Sequence, residues 1–231
     1  MLSHCSWIGI CAVLVAGCSP AFMSDLYTTS TPRTQSFELR GNDSTPVAIL
    51  GVVSPPALQG FAPFFSHALV RAISEVQPPI RVIPTSETVS IINEGDQGLA
   101  SDYTQLLSGF IASGILDRKR MSAIGARLNS HYVLLPGVAE FDQSVTDRYD
   151  FAGLKLVRNR ITTLRLWLQI WDANSGRLLW ESAGEITAVT ALLSVKRTVP
   201  LEELARRLWL QMIQENLLEA NSTRRLLFDV E

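Results

Sequence analysis

Ile161-Thr162-Thr163-Leu164-Arg165-Leu166-Trp167-Leu168-Gln169-Ile170-Trp171 alternates from Leu164 onward: Leu164, Leu166, Leu168 and Ile170 fall on one side, Arg165, Trp167, Gln169 and Trp171 on the other. A period of two marks a strand with two distinct faces. The turn-forming run Asp172-Ala173-Asn174-Ser175-Gly176 follows and leads into Arg177-Leu178-Leu179-Trp180-Glu181, which predicts an antiparallel hairpin.

Upstream, Tyr132 to Phe141 reads as another strand, with Pro136-Gly137 marking a bulge or bend. Pro46-Val47-Ala48-Ile49-Leu50-Gly51-Val52-Val53 is continuously apolar, the pattern of a strand buried on both faces. Apolar residues then recur at three- and four-residue spacing from Leu58 to Val76, predicting an amphipathic helix before a short strand at Ile80–Pro84. Strand, helix, strand in this order implies a crossover with parallel pairing. Thr85-Ser86 with Glu87 predicts an N-terminal cap for a helix through Ile92. Further helices are expected from Leu99 to Ile111, ended by Ser113-Gly114, and from Leu116-Asp117 to Asn129. A last one starts at Pro200, with Glu202 and Glu203 in its first turn. The expected fold is α/β (α+β): a single domain over residues 46–221 with a mixed sheet, parallel in its first half, antiparallel in its second, and flanked by helices. Residues 222–231 form a tail that docks or frays.

From Trp7 to Ala16 the chain is apolar but too short to span a bilayer, and it ends in Leu14-Val15-Ala16-Gly17-Cys18. Val15, Ala16, Gly17 and Cys18 resemble the lipobox of bacterial lipoproteins. That resemblance implies removal of residues 1–17, a diacylglycerol and an N-acyl chain on Cys18, and anchoring by lipid to a membrane. Ser19, in the sorting position, implies the periplasmic face of the outer membrane. Met1 to His4 contains no Lys or Arg, unlike an ordinary signal start, and the alternatives are an apolar helix packed on the domain or a signal peptide cut elsewhere. Residues 18–45 are rich in Ser, Thr and Pro and read as a flexible tether spanning about 30 Å root-mean-square.

Composition narrows the function. The formal charge is −2, so no basic field is present to hold nucleic acid. Cys5 and Cys11 lie in the removable segment, leaving Cys18 alone, which excludes an intrachain disulfide and a thiolate metal site. His67 sits within an amphipathic helix and His131 at the start of a strand, neither in a nucleophile or metal motif. Asp142, Asp147 and Asp150 near Glu140 lack the glycine pattern of a calcium loop. No phosphate-binding glycine loop or nucleophile elbow occurs. The expectation is therefore no catalytic residue, no metal and no cofactor beyond the covalent lipid.

The run Ser130-His131-Tyr132-Val133-Leu134-Leu135-Pro136-Gly137-Val138-Ala139-Glu140-Phe141, followed by Leu166 through Trp180 with its aspartate-to-glycine turn, resembles the CsgG-type lipoprotein superfamily. This superfamily includes the curli secretion channel, LpoB-type activators of peptidoglycan synthases and kin of the TolB N-terminal domain. The likeness covers Pro46 to Leu217 in order of elements and implies a non-catalytic accessory factor that binds a periplasmic or envelope protein. A second implied role is a homo-oligomeric secretion channel, and a lone hydrolase is a third reading. A channel subunit needs two membrane-spanning hairpins of about 9 to 11 residues per strand. Asp142 to Arg160 accommodates one, whereas Ala183 to Pro200 leaves little room for a second.

Trp167, Trp171 and Trp180 are the candidate binding residues if the hairpin gathers them on one sheet face, the alternative being that helices cover that face and make them core. Arg148, Tyr149 and Phe151, in the polar stretch Thr146 to Phe151, are a second candidate contact, either an exposed loop tip or a folded-back lid.

Overall fold

The computed structural model describes residues 26–32, 45–77, 79–149, 155–191, 199–218 and 225–227. Its strands are β1 (Leu26–Pro32), β2 (Val47–Ile49), β3 (Val82–Ile83), β4 (Tyr132–Tyr149), β5 (Lys155–Asp172), β6 (Leu178–Ala191) and β7 (Arg225–Leu227). The helices are α1 (Ala62–Ser74), α2 (Thr85–Asn93), α3 (Gln97–Ser113), α4 (Arg118–Arg127) and α5 (Leu201–Gln211). A 3-10 turn, Pro56–Phe61, precedes α1, and a π-helical segment, Met212–Leu218, continues α5. The strands form one mixed sheet in the order β3-β2-β4-β5-β6-β1-β7. β2 runs parallel to β3 and β4, and every later pairing is antiparallel. The expected α/β class and the change from parallel to antiparallel pairing are both present.

Alternation along the strands sorts the apolar residues into two cores. Val47 and Ile49 join Leu134, Leu164, Leu166, Leu168 and Ile170 beneath α1 and α5. Ala48 and Leu50 join Val133, Leu135 and Trp171 beneath α2, α3 and α4. The continuous apolar run at Val47–Leu50 is thus explained: both faces of β2 are covered. Helix ends follow local chemistry. Asp96 and Asp117 accept from the amides of Leu99 and Arg120 at 2.8 and 2.9 Å. Gly114, in the left-handed region at φ 73°, closes α3 and returns its amide to Phe110 O.

Several expectations are corrected. The Ser/Thr-rich stretch read as a tether contains β1, which pairs with β6 along its whole length; in the tail, expected to dock or fray, Arg225–Leu227 pairs with β1 as β7. Composition rules out a core for that stretch but not a strand, because the backbone of an unpaired sheet edge is itself a template. Thr85 does not cap α2, whose N-cap is Pro84. Its hydroxyl donates instead to Leu50 O at 3.1 Å. The bulge expected at Pro136-Gly137 falls two residues later, between Val138 and Glu140. Gly137 is needed for close approach, since a Cβ there would lie inside the Trp167 ring.

α1 and α5 are joined at their surface by charge. Arg206 reaches Glu75, the C-cap of α1, and the Nε atoms of Arg206 and Arg207 donate to Glu203 at 2.7 and 2.8 Å. These bonds, that from Arg206 foremost, hold the Glu203 carboxyl down to about 2 from 4.5. Beneath them Trp180 Nε1 donates to Asn216 O at 3.1 Å, and the Asn216 amide donates to Ser182 Oγ at 2.7 Å. This buried polar pair fixes the π-helical segment on β6.

Gly137→Ala is expected to cost about 1–3 kcal/mol by overpacking, read as a shift in the urea midpoint. In a Trp167→Leu background the same change costs under about 1 kcal/mol, because the obstructing ring is gone. The depressed Glu203 carboxyl stabilises the fold fully above about pH 4.5, and that contribution disappears as pH falls toward 2. With a quarter of its side chain exposed (25%), a discounted value of about 1 kcal/mol is expected for Glu203→Gln at neutral pH. The difference between Glu203→Gln and the parent in chemical melts should vanish near pH 2.

Candidate functional site

Trp167 stands at the edge of the helical cover on the α3 side of the sheet. Its register partners are Gly137 on β4 and Ala183 on β6, so a wide indole lies across two of the smallest side chains. Phe110 of α3 leans on it, centroids 5.8 Å apart, and meets Trp171 edge-on at 6.5 Å. Trp171 is buried and donates from Nε1 to Gln169 Oε1 at 3.0 Å. Trp167 is only half-buried and floors a concavity of about 400 Å³ with Phe110, Ala139, Arg165, Glu181 and Glu185.

The bulge after Val138 decides the charge of this surface. Gly137 faces Trp167 in register, and the extra residue, Ala139, turns Glu140 rather than its neighbour to the same face. Glu140, Arg165 and Glu185 then form one cross-strand row, with the Arg165 guanidinium bonded to both carboxylates. Glu185 first, then Glu140, raises the affinity of that guanidinium for its proton. The next row is Asp142, Thr163 and Thr187, its two threonine hydroxyls 3.2 Å apart. Beyond it come Ser144, Ile161 and Val189. The arrangement is two polar rows and then a mixed one, continuing from an aromatic floor.

The three tryptophans do not share a face. Ile170 is opposite Trp180, whereas Trp171 is opposite Leu178, because the register slips between Ile170 and Trp171. Trp180 therefore lies in the core under α5 at 1% exposure. Trp171 is core on the opposite side, and Trp167 alone of the three borders open space. The stretch expected as a loop at Thr146 to Phe151 is strand as far as Tyr149, with Arg148 opposite Val157 and Tyr149 opposite Lys155. Phe151, together with Val15, Ala16, Gly17, Cys18 and Ser19, lies outside the described residues. What composition alone did not give is the Glu140–Arg165–Glu185 row, whose only sequence signal is the alternation that sets Arg165 beside Trp167.

His67 Nδ1 is 2.8 Å from Glu202 on the far side of the molecule, and His131 is exposed at the start of β4. Among the described residues no group of three or more His, Cys, Asp or Glu side chains is placed to hold a metal ion. None of the described helices is long and apolar enough to cross a membrane.

No family model and no curated protein sequence matches the chain. Solved structures resemble it. The PelC dodecamer from Paraburkholderia phytofirmans is 15% identical, with TM-score 0.40, over 80% of this chain and 94% of that one. Lipoprotein GNA1162 from Neisseria meningitidis is 15% identical, with TM-score 0.39, over 66% and 87%. The hypothetical protein CT253 from Chlamydia trachomatis is 13% identical, with TM-score 0.41, over 74% and 94%.

Trp167 is the expected source of quenchable tryptophan emission from the folded domain, since Trp180 and Trp209 are enclosed and Trp171 is nearly so. In a Trp7→Phe background, Trp167→Phe should remove most of the acrylamide-accessible fraction, measured by steady-state quenching.

Proposed function

We propose that this chain is a lipid-anchored lipoprotein on the periplasmic face of the outer membrane. It acts as a non-catalytic binding factor for a cell-envelope assembly, as the CsgG-type resemblance implies, and meets an envelope protein through the open face beside Trp167. The observation that carries this reading is the half-buried indole at the limit of the helical cover, with the polar rows Glu140–Arg165–Glu185 and Asp142–Thr163–Thr187 continuing past it. An aromatic floor with a fixed arginine at its rim has the composition of interface hot spots, where a few Trp, Tyr and Arg side chains dominate the energy. The Glu140–Arg165–Glu185 row is already formed in the free chain, so a partner meets a preorganised polar rim and less side-chain entropy is lost on contact. The lipobox residues Val15, Ala16, Gly17 and Cys18, with Ser19, supply the address. No cofactor beyond the lipid on Cys18 enters this reading, and nucleic acid has no part in it.

A channel subunit requires ribbon residues alternating between lipid and lumen. Beyond Phe141 the rows Gln143–Thr162–Ala188 and Val145–Arg160–Thr190 lie on one face and Asp142–Thr163–Thr187 and Ser144–Ile161–Val189 on the other, so neither is an apolar band. That pattern favours a ribbon in water.

Two measurements test the proposal. Intact-mass analysis of membrane-extracted protein is expected to start at Cys18 with added acyl chains, and Cys18→Ala to release the chain from the membrane fraction. A photo-crosslinking residue at position 142 is expected to give one discrete adduct in intact cells that Trp167→Ala reduces at least tenfold while leaving the thermal melt cooperative. An adduct indifferent to Trp167→Ala would assign the contact to another surface.

A further inference from the structure

A second concavity lies toward the β3 edge of the sheet, and its position has a topological cause. From β2 the chain turns into α1 on one face, and from the adjacent parallel strand β3 it turns into α2 on the other. Adjacent parallel strands whose connections part to opposite faces leave a crevice beyond their carboxyl ends, where open α/β sheets bind ligands. The crevice here measures about 570 Å³, within the range of small-molecule sites. Val52, Pro63, Val70 and Val89 give it apolar walls, and its lining includes no Lys, Arg, Asp or Glu.

The polar groups in it have a fixed direction. Leu50 O can only accept, so the one proton of Thr85 Oγ1 is committed to it at 3.1 Å. Thr85 Oγ1 must then accept from Ser66, whose hydroxyl donates to it at 2.9 Å. Ser66 Oγ lines the crevice with its proton spent and its lone pairs unspent. At the mouth, the Glu202 carboxylate can only accept and lies 2.8 Å from His67 Nδ1, so that nitrogen carries its proton toward Glu202 and away from the crevice. Ser66 asks a ligand for a proton.

We propose that this crevice is a binding site for a neutral, largely apolar small molecule that presents an N–H or O–H donor to Ser66. The ligand sits between α1 and α2, distinct in place and chemistry from the Trp167 surface. Ser66 selects by polarity: a ligand offering only an acceptor sets lone pair against lone pair, while one offering a donor completes the chain Ser66 to Thr85 to Leu50.

Indole and 1-methylindole are the probes, since they share an apolar ring system and differ in the donor. Titrated into the full-length protein by ligand-observed NMR or calorimetry, indole is expected to bind saturably, and 1-methylindole at least tenfold more weakly. Ser66→Ala is expected to bring the two within about twofold of each other by weakening indole, whereas Val89→Phe, which fills the crevice, removes both. The Val89 variant also locates the site should Ser66→Ala fail to fold. No saturable indole binding, equal binding of the two probes by the parent chain, discrimination that persists in Ser66→Ala, or binding untouched by Val89→Phe would each overturn the proposal.

Discussion

The pairing of β4 with β5 sets everything else in this molecule. It runs from Tyr132 opposite Asp172 to Tyr149 opposite Lys155, and it is pinned where the Trp167 indole crosses Gly137. A one-residue slip would exchange the two faces of β5, sending Leu164, Leu166, Leu168 and Ile170 toward α3 and the arginine and tryptophans beneath α5. Only glycine admits the ring at that crossing, so the seat specifies the register as well as filling space. The bulge immediately beyond then inverts the parity of β4, and this places Glu140 next to Arg165.

The two concavities illustrate different uses of a sheet. One lies on a sheet face past the end of its helices, where strand rows present charge and an aromatic ring to water. The other lies at the ends of strands between helices, where the walls are apolar and one hydroxyl chain sets direction. Exposed ion pairs such as those of Arg165 contribute little to stability, so their worth lies in shape and orientation. Directional hydroxyls in a partly buried crevice weigh more, because a mismatched lone pair there has little water to turn to.

Much of this was legible in the residues. Alternation in β5 gave both of its faces, the unbroken apolar run gave a strand covered on two sides, and the aspartate-to-glycine turn gave the hairpin. What escaped has particular causes. Whether Trp180 joins Trp167 depends on a register slip between Ile170 and Trp171 that no periodicity announces. The bulge lies after Val138 because packing puts Gly137 under an indole, a constraint from another strand. Thr85 forgoes its expected cap for a distant carbonyl. β1 was hidden because its backbone, rather than an apolar stripe, attaches it to the sheet.

That attachment shortens the leash. Between Cys18 and Leu26 lie eight peptide steps, which reach at most about 29 Å when drawn straight, whereas a wholly loose stretch to residue 45 would have let the body wander much farther. A chain acylated at Cys18 would therefore keep Leu26, the start of β1, within about 29 Å of the headgroups. The β3 margin lies five strand spacings from β1, about 24 Å across the sheet, so the crevice between α1 and α2 would stay within roughly 50 Å of the same surface.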